Sequence, residues 1–330
     1  MKHLSLLIPN GHINLSSVIG TYKILSRANE YYQERHNRKI FDLHLVGNTH
    51  TVSIYEGLFS IHPEILISQV NHTDFIIVPS LNHDIENVIY SNQSMIAWIH
   101  QQVGEGAEAA SICTGSFLLA AAGVLEGKQC STHWSAAAQF RKKYPLLNLV
   151  EDKIITDEHG IYTSGGAFSF LNFLLYLVEK YYDRETAIYC SKVFQIDMNR
   201  DTQNTYVIFQ GQKSHNDEII RQAQYMIETK LQDRFSMEEL AQSLALSRRN
   251  FDRRFIKATG NTPLLYQQRV KIEAAKRMLE NTKMSVNEVM LEVGYTDVKA
   301  FREVFKKIAG ISPIDYRARY GMDKLATNFS

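Results

Sequence analysis

The sequence predicts two folds in one chain: an α/β sandwich on a mostly parallel sheet, then an all-α domain with two helix-turn-helix motifs. Three observations predict this. Short β-like runs alternate with helical stretches up to about residue 195. Strand signals then stop, and every later segment has helical spacing. Within that later part, one pattern of caps, paired phenylalanines and glycines occurs twice. The 330 residues are enough for two domains. The 45% hydrophobic content supplies two cores.

The front elements follow in order. Strand candidates are "HLSLLI" (3–8), "FDLHLV" (41–46), "DFIIVP" (74–79) and "AASI" (109–112). "KIIT" (153–156) and "IYTS" (161–164) read as a hairpin closed around "DEHG". Helices are expected near 15–33, 92–103, 115–123, 167–181 and 185–195. Strands alternating with helices imply a layered, largely parallel sheet. Sites in such sheets lie at the carboxyl ends of the strands. Cys113 follows "AASI" at such an end and opens "CTGSFLLAAAG", a strand, sharp turn and helix. A helix N-terminus favours a thiolate, so Cys113 is a candidate nucleophile or the remnant of one.

The expected organisation is a first domain over 1–198, a polar Gln/Asn-rich linker over 199–216, a second domain over 217–320, and a tail over 321–330. The net charge of +1 hides an asymmetry. Residues 1–212 carry 15 Lys/Arg against 20 Asp/Glu, and residues 213–324 carry 21 against 15. A basic half suggests a polyanionic partner.

The repeat compares "SMEELAQSLALSRRNFDRRFIKATGNTP" (236–263) with "SVNEVMLEVGYTDVKAFREVFKKIAGISP" (285–313). Each opens on a capping box, Ser236 with Glu239 and Ser285 with Glu288. A short apolar helix and a tight turn follow. A second helix then carries two phenylalanines four apart, Phe251/Phe255 and Phe301/Phe305. Both units end at a glycine, Gly260 or Gly310, before a new helix that starts at Pro263 or Pro313. Helix, turn and amphipathic helix are the parts of a helix-turn-helix. The connecting helix, 263–282, is about 28 Å long. That approaches the roughly 34 Å between successive major-groove faces of DNA. With the phenylalanines inward, Arg249, Asn250, Arg253 and Lys257 face out in the first unit. Lys299, Arg302, Glu303 and Lys306 do so, or lie on the flanks, in the second. Arg249, Arg253, Lys299 and Arg302 are the expected base readers. Lys257, Lys306 and Lys307 are expected on phosphates.

These residues carry a resemblance. Residues 217–320, through "LSRRNFDRRFIKATGNTP", "RVKIEAAKRML", "VNEVMLEVGYTD" and "FREVFKKIAGISPIDYR", resemble the DNA-binding domain of AraC-type transcription regulators. The resemblance implies base contacts at Arg249, Asp252 and Arg253, and at Val298, Lys299 and Glu303, with less sequence reading by the second helix. It also implies a homodimer on double-stranded DNA, with RNA polymerase as a further partner.

Residues 1–195, through "SICTGSFLLAAAGVLEGKQCSTHW" and "IYTSGGAFSFLNFLLYLVEK", resemble the class I glutamine-amidotransferase-like, or PfpI-like, domain. The implied fold is flavodoxin-like and amidotransferase-like. Several AraC-type regulators carry this domain as a sensor. Its enzyme relatives use an elbow cysteine, a histidine, often a carboxylate, and backbone amides that hold an oxyanion. His133 is the candidate base here. Two supports are missing. Ser80-Leu81-Asn82 replaces the usual Gly-Gly turn, and the early loop "PNGHINLSS" has no Asp or Glu. The expectation is therefore a non-catalytic ligand pocket lined by Asn10, Asn14, Ser80, Cys113, Thr114 and His133. It would take an amino acid or betaine-like effector. A cysteine-dependent hydrolase or deglycase, and a ligand-free dimerisation scaffold, are the alternatives.

No bound cofactor is expected. No metal site is expected either, because the twelve histidines lack paired ligand spacing. Three cysteines, an N-terminus without a signal-peptide pattern and no membrane-length apolar run lead to the expectation of a soluble cytoplasmic protein.

Overall fold

A computed structural model describes residues 1–82, 84–198, 204–213, 215–232 and 235–322. The chain divides into two compact units, Met1–Gln203 and Asn204–Ser330.

The front unit begins with β1 (Lys2–Ile8), α1 (Leu15–His36), β2 (Phe41–Gly47), β3 (Val52–Ile54), β4 (Phe59–Ile61), β5 (Ile65–Leu66) and β6 (Phe75–Val78). It continues with α2 (Ile85–Ser91), α3 (Gln93–Gly104), β7 (Glu108–Ile112), α4 (Ser116–Ala121), β8 (Gln129–Cys130), α5 (Ala137–Lys143) and β9 (Asn148–Leu149). β10 (Ile155–Glu158), β11 (Ile161–Ser164), α6 (Phe170–Tyr181) and α7 (Arg184–Val193) close it. The main sheet has the order β10-β11-β7-β6-β1-β2-β5. All its pairings are parallel except β10 with β11. β1, β6 and β7 are the apolar centre, with Leu6, Ile77 and Ala110 fully buried. Such strands are covered on both faces, which is why they read as continuous hydrophobic runs. The hairpin turns at His159 and Gly160, both at positive φ. That is the backbone a two-residue hairpin turn demands.

The strands read from sequence are all present. The sequence reading omitted the β3–β4 hairpin, β5, α2, α5 and the β8–β9 pair. These are short elements whose formation depends on neighbours rather than on their own pattern.

β1 is flanked by β2 on one side and β6 on the other. The strand order reverses there, and ligand crevices of open parallel sheets form at such points. The loops leaving β1 and β6 therefore meet beside the turn that leaves β7.

The back unit contains α8 (Glu218–Thr229), α9 (Met237–Ser243), α10 (Arg248–Thr259), α11 (Pro263–Asn281), α12 (Val286–Glu292), α13 (Val298–Ala309) and α14 (Pro313–Tyr320). Both capping boxes form, Ser236 with Glu239 and Ser285 with Glu288. Gly260 and Gly310 end α10 and α13 in the left-handed conformation. Pro263 and Pro313 start α11 and α14 at N1. The unit has two small cores. Phe251, Phe255 and Tyr266 centre one, and Phe301, Phe305 and Tyr316 the other. Residues 204–213, within the expected linker, pack on this unit; 199–203, residue 214 and the tail from 323 lie outside the described residues. Among the described residues, no helix is long and apolar enough to cross a membrane.

Candidate functional site

At the front elbow Cys113 has φ 54°, in the left-handed region that a cysteine rarely adopts. The residues around it hold it there. A Cβ on Gly115 would lie 2.5 Å from the Pro79 carbonyl oxygen and 2.8 Å from that of Val78. Only glycine lets this turn press against the end of β6. The Thr114 hydroxyl then donates to the Leu81 carbonyl (2.6 Å) and accepts from the Leu81 N–H (2.9 Å). Ser80 Oγ lies 3.1 Å from the same hydroxyl.

The loop after β6 is closed from the other side as well. Asn14 N–H donates to the Ser80 carbonyl (2.8 Å), and Ile13 bridges Leu81. The Ser80 N–H donates to Ser17 Oγ (3.1 Å), and the Asn82 N–H to the His12 carbonyl (2.7 Å). So all three amides of Ser80-Leu81-Asn82 are spent inside the fold. An oxyanion hole needs such donors free and aimed at the reacting oxygen.

Cys113 as a whole is only 5% exposed. Burial pushes its pKa up, against the hydrogen bonding of Ser80 and Thr114, which pulls it down. The helix-terminus argument for a thiolate is therefore outweighed by desolvation.

The structure brings Asn14, Ser80, Cys113 and Thr114 together. Asn10 sits to one side and exchanges hydrogen bonds with Asn92, its N–H donating to Asn92 Oδ1 (2.8 Å). Asn14 Oδ1 caps α1 by accepting from the Ser16 N–H. His133 starts a short turn, Trp134–Ala136, and its Nδ1 accepts the Ser135 N–H (3.2 Å). An acceptor Nδ1 puts the proton of the neutral ring on Nε2. Burial lowers the His133 pKa. The ring makes no hydrogen bond to Cys113 among the described residues.

The back unit presents its second helices differently. Arg249, Arg253 and Lys257 are exposed on α10, and Asn250 and Asp252 are half-buried. Arg248 pairs with Asp252 (2.9 Å), Arg253 donates to Asn250 Oδ1 (3.1 Å), and Arg254 forms a two-pronged pair with Asp217 (2.9 and 2.6 Å). On α13, Val298, Lys299, Arg302, Glu303 and Lys306 are all exposed. The helical wheel thus sorts inward from outward correctly. It missed Arg254, whose partner at Asp217 is distant in sequence. It also missed the buried polar residues Lys271, Glu273 and Lys276 of α11. Glu273 and Lys276, three apart, share one face, and that spacing was the available signal.

Residues 240–319 match a helix-turn-helix domain family, and residues 20–180 match the DJ-1/PfpI family. The HTH-type transcriptional regulator GbdR of Pseudomonas aeruginosa is 26% identical over 223 residues, which cover 67% of this chain and 60% of GbdR. The HTH-type transcriptional regulator CdhR of the same organism is 26% identical over 230 residues, covering 68% of this chain and 67% of its own. A crystal structure from Vibrio parahaemolyticus shares the fold with a TM-score of 0.52 at 23% identity, over 58% of this chain and 98% of that one. The chain therefore joins a DJ-1/PfpI-family domain to an AraC-type helix-turn-helix domain.

Proposed function

We propose that this chain is a sequence-specific DNA-binding transcriptional regulator whose front domain senses a small metabolite without catalysis. The observation that carries the reading is the pair of helix-turn-helices, each presenting exposed cations on a helix whose phenylalanines are fully buried. Arg249, Asn250, Asp252 and Arg253 of α10, and Val298, Lys299, Arg302 and Glu303 of α13, are the proposed base-facing set. Lys257 and Lys306 would meet phosphates, so affinity should fall steeply with salt. The naming of GbdR and CdhR as transcriptional regulators supports the same reading. A homodimer working with RNA polymerase in the cytoplasm belongs to this proposal.

The front domain would take an amino acid or betaine-like effector near Asn10, Asn14, Ser80, Cys113, Thr114 and His133. Several of these polar groups are already paired, so the effector would have to displace or reorder the loops over the elbow. Binding that favours one loop arrangement is what couples a ligand to a conformational equilibrium.

The test uses the full chain. Selection from a random duplex pool should enrich a sequence motif, and the absence of enrichment over competitor DNA would overturn the regulator reading. Thermal unfolding with a panel of amino acids, amines and betaines should give a saturable shift with one compound. No shift across the panel would make the front domain a scaffold.

One observation favours the hydrolase reading: Cys113 keeps the strained elbow conformation that exposes nucleophiles in related folds. The closed amide set, the raised thiol pKa and the absence of a His133–Cys113 hydrogen bond among the described residues oppose it. We expect iodoacetamide to alkylate Cys113 negligibly at pH 7, with the rate rising only above the ordinary thiol range near about 8.5. Rapid alkylation at pH 7, mapped to Cys113, would restore the hydrolase.

A further inference from the structure

We infer that the strap formed by residues 204–213 positions the two recognition helices relative to one another, and so sets the half-site spacing that the chain reads on DNA. This rests on the DNA-binding reading above.

The strap is built into the back unit by a buried ion pair. Glu273 and Lys276 of α11 are 9% and 4% exposed and lie 3.0 Å apart. Burying two charges on one helix face is costly unless further hydrogen bonds satisfy them. The strap backbone supplies those bonds. The Phe209 N–H donates to Glu273 Oε2 (3.2 Å), and Lys276 Nζ donates to the Val207 carbonyl. A free tether between domains would give the pair no such partners.

Two lines of contact leave the strap. The Phe209 ring meets Tyr266 edge-on, with centroids 5.2 Å apart. Tyr266 meets Phe255 of α10 in the same way, also at 5.2 Å. On the other side, Lys276 Nζ lies 5.7 Å from the centre of the Tyr316 ring. Tyr316 packs edge-on against Phe305 of α13 at 5.6 Å. The turn Asn204–Tyr206 itself rests on α13, with Thr205 buried.

Further along, Gln212 accepts from Gln224 of α8 (2.9 Å) and, through its side chain, from Asn261 after α10 (3.0 Å). Lys213 pairs with Glu228 (2.8 Å). One short segment thus touches the supports of both reading helices. It also lies directly after the boundary between the two units.

The experiment compares full-length wild type, Phe209→Ala, and a double variant, Glu273→Leu with Lys276→Met. The double change removes both charges together, so no unpaired charge is left in the interior. The probe is a duplex selected by the wild-type chain from a random pool, with its two half-sites located by footprinting. One base pair is then added between the half-sites. We expect this to weaken wild-type binding about tenfold, a coupling of ordinary size. Both variants should lose most of that penalty. Their affinity for a duplex carrying a single half-site should stay within about twofold of wild type, which also shows that they fold. An unchanged spacing penalty in both variants would overturn the inference and leave the regulator reading intact. A footprint with only one contacted segment would overturn it too. If wild type selects no duplex, it is the regulator reading that fails.

Discussion

The two helix-turn-helices of the back unit are built alike and equipped differently. Each has a capping box, a buried phenylalanine pair and a left-handed glycine cap. On α10 three arginines are committed, Arg248 to Asp252, Arg253 to Asn250, and Arg254 to Asp217, and Arg249 and Lys257 have no partner among the described residues. On α13, Lys299, Arg302, Lys306 and Lys307 have no partner among the described residues. The turns differ as well. The first uses Ala245 at φ 54°, and the second, one residue longer, uses Gly294 at φ 75°. Caps and core make the fold, and this layer is duplicated. The recognition layer is free to diverge because it contributes little to the core.

The largest effect tests the shared part. Phe255 and Phe305 are both fully buried. Truncating either to alanine should cost about 3–5 kcal/mol. Hydrogen exchange of the full chain should show the loss within the affected helix-turn-helix, because opening is local. Clearly unequal losses would mean that the two cores are not equivalent.

A smaller effect separates the turns. A Cβ on Gly294 would sit 2.5 Å from the Leu231 carbonyl oxygen, and φ there is already positive. Gly294→Ala should therefore cost more than the about 1–2 kcal/mol of left-handed strain alone. Exchange protection of α12 and α13 would fall, and that of α10 would hold. Unchanged protection of α12 would show that the turn has room to relax.

The reading helices should part in specificity. Arg253, held by Asn250, suits a directional contact, so Arg253→Ala should cost about 1–3 kcal/mol and relax preference at one base pair. Lys306→Ala, on a proposed phosphate contact, should weaken binding nearly uniformly across sequences, with a shallower salt slope. Competition titrations over single-base variants of a selected duplex would decide between these. Equal specificity losses from both would erase the distinction drawn from their side-chain pairing.

Much of this was legible in the sequence, for physical reasons. Capping boxes, Pro at N1 and Gly at the C-cap are local signals, and the back unit is written almost entirely in them. The parallel strands were legible because burial on both faces makes them continuous apolar runs. The closed elbow was not. Whether the amides of Ser80, Leu81 and Asn82 are free depends on Ser17, Thr114 and His12, which lie far away in the chain. The strap was hidden for the same reason. "TYVIFQGQK" looks like polar connecting sequence until Glu273 and Lys276 are seen beneath it.

The smallest prediction concerns Ala245. A left-handed alanine carries a steric cost of about 1–2 kcal/mol that glycine would not. Glycine in turn loses more backbone entropy on folding, by about 0.4–1 kcal/mol. The two terms oppose each other, so Ala245→Gly should stabilise the first helix-turn-helix by at most about 1.5 kcal/mol. The sign is the informative quantity. Increased exchange protection of α9 and α10 would show that the first turn stores strain where the second, with Gly294, does not. Decreased protection would mean that the Ala245 methyl packs well enough to offset its backbone, and the turns would then differ in length alone.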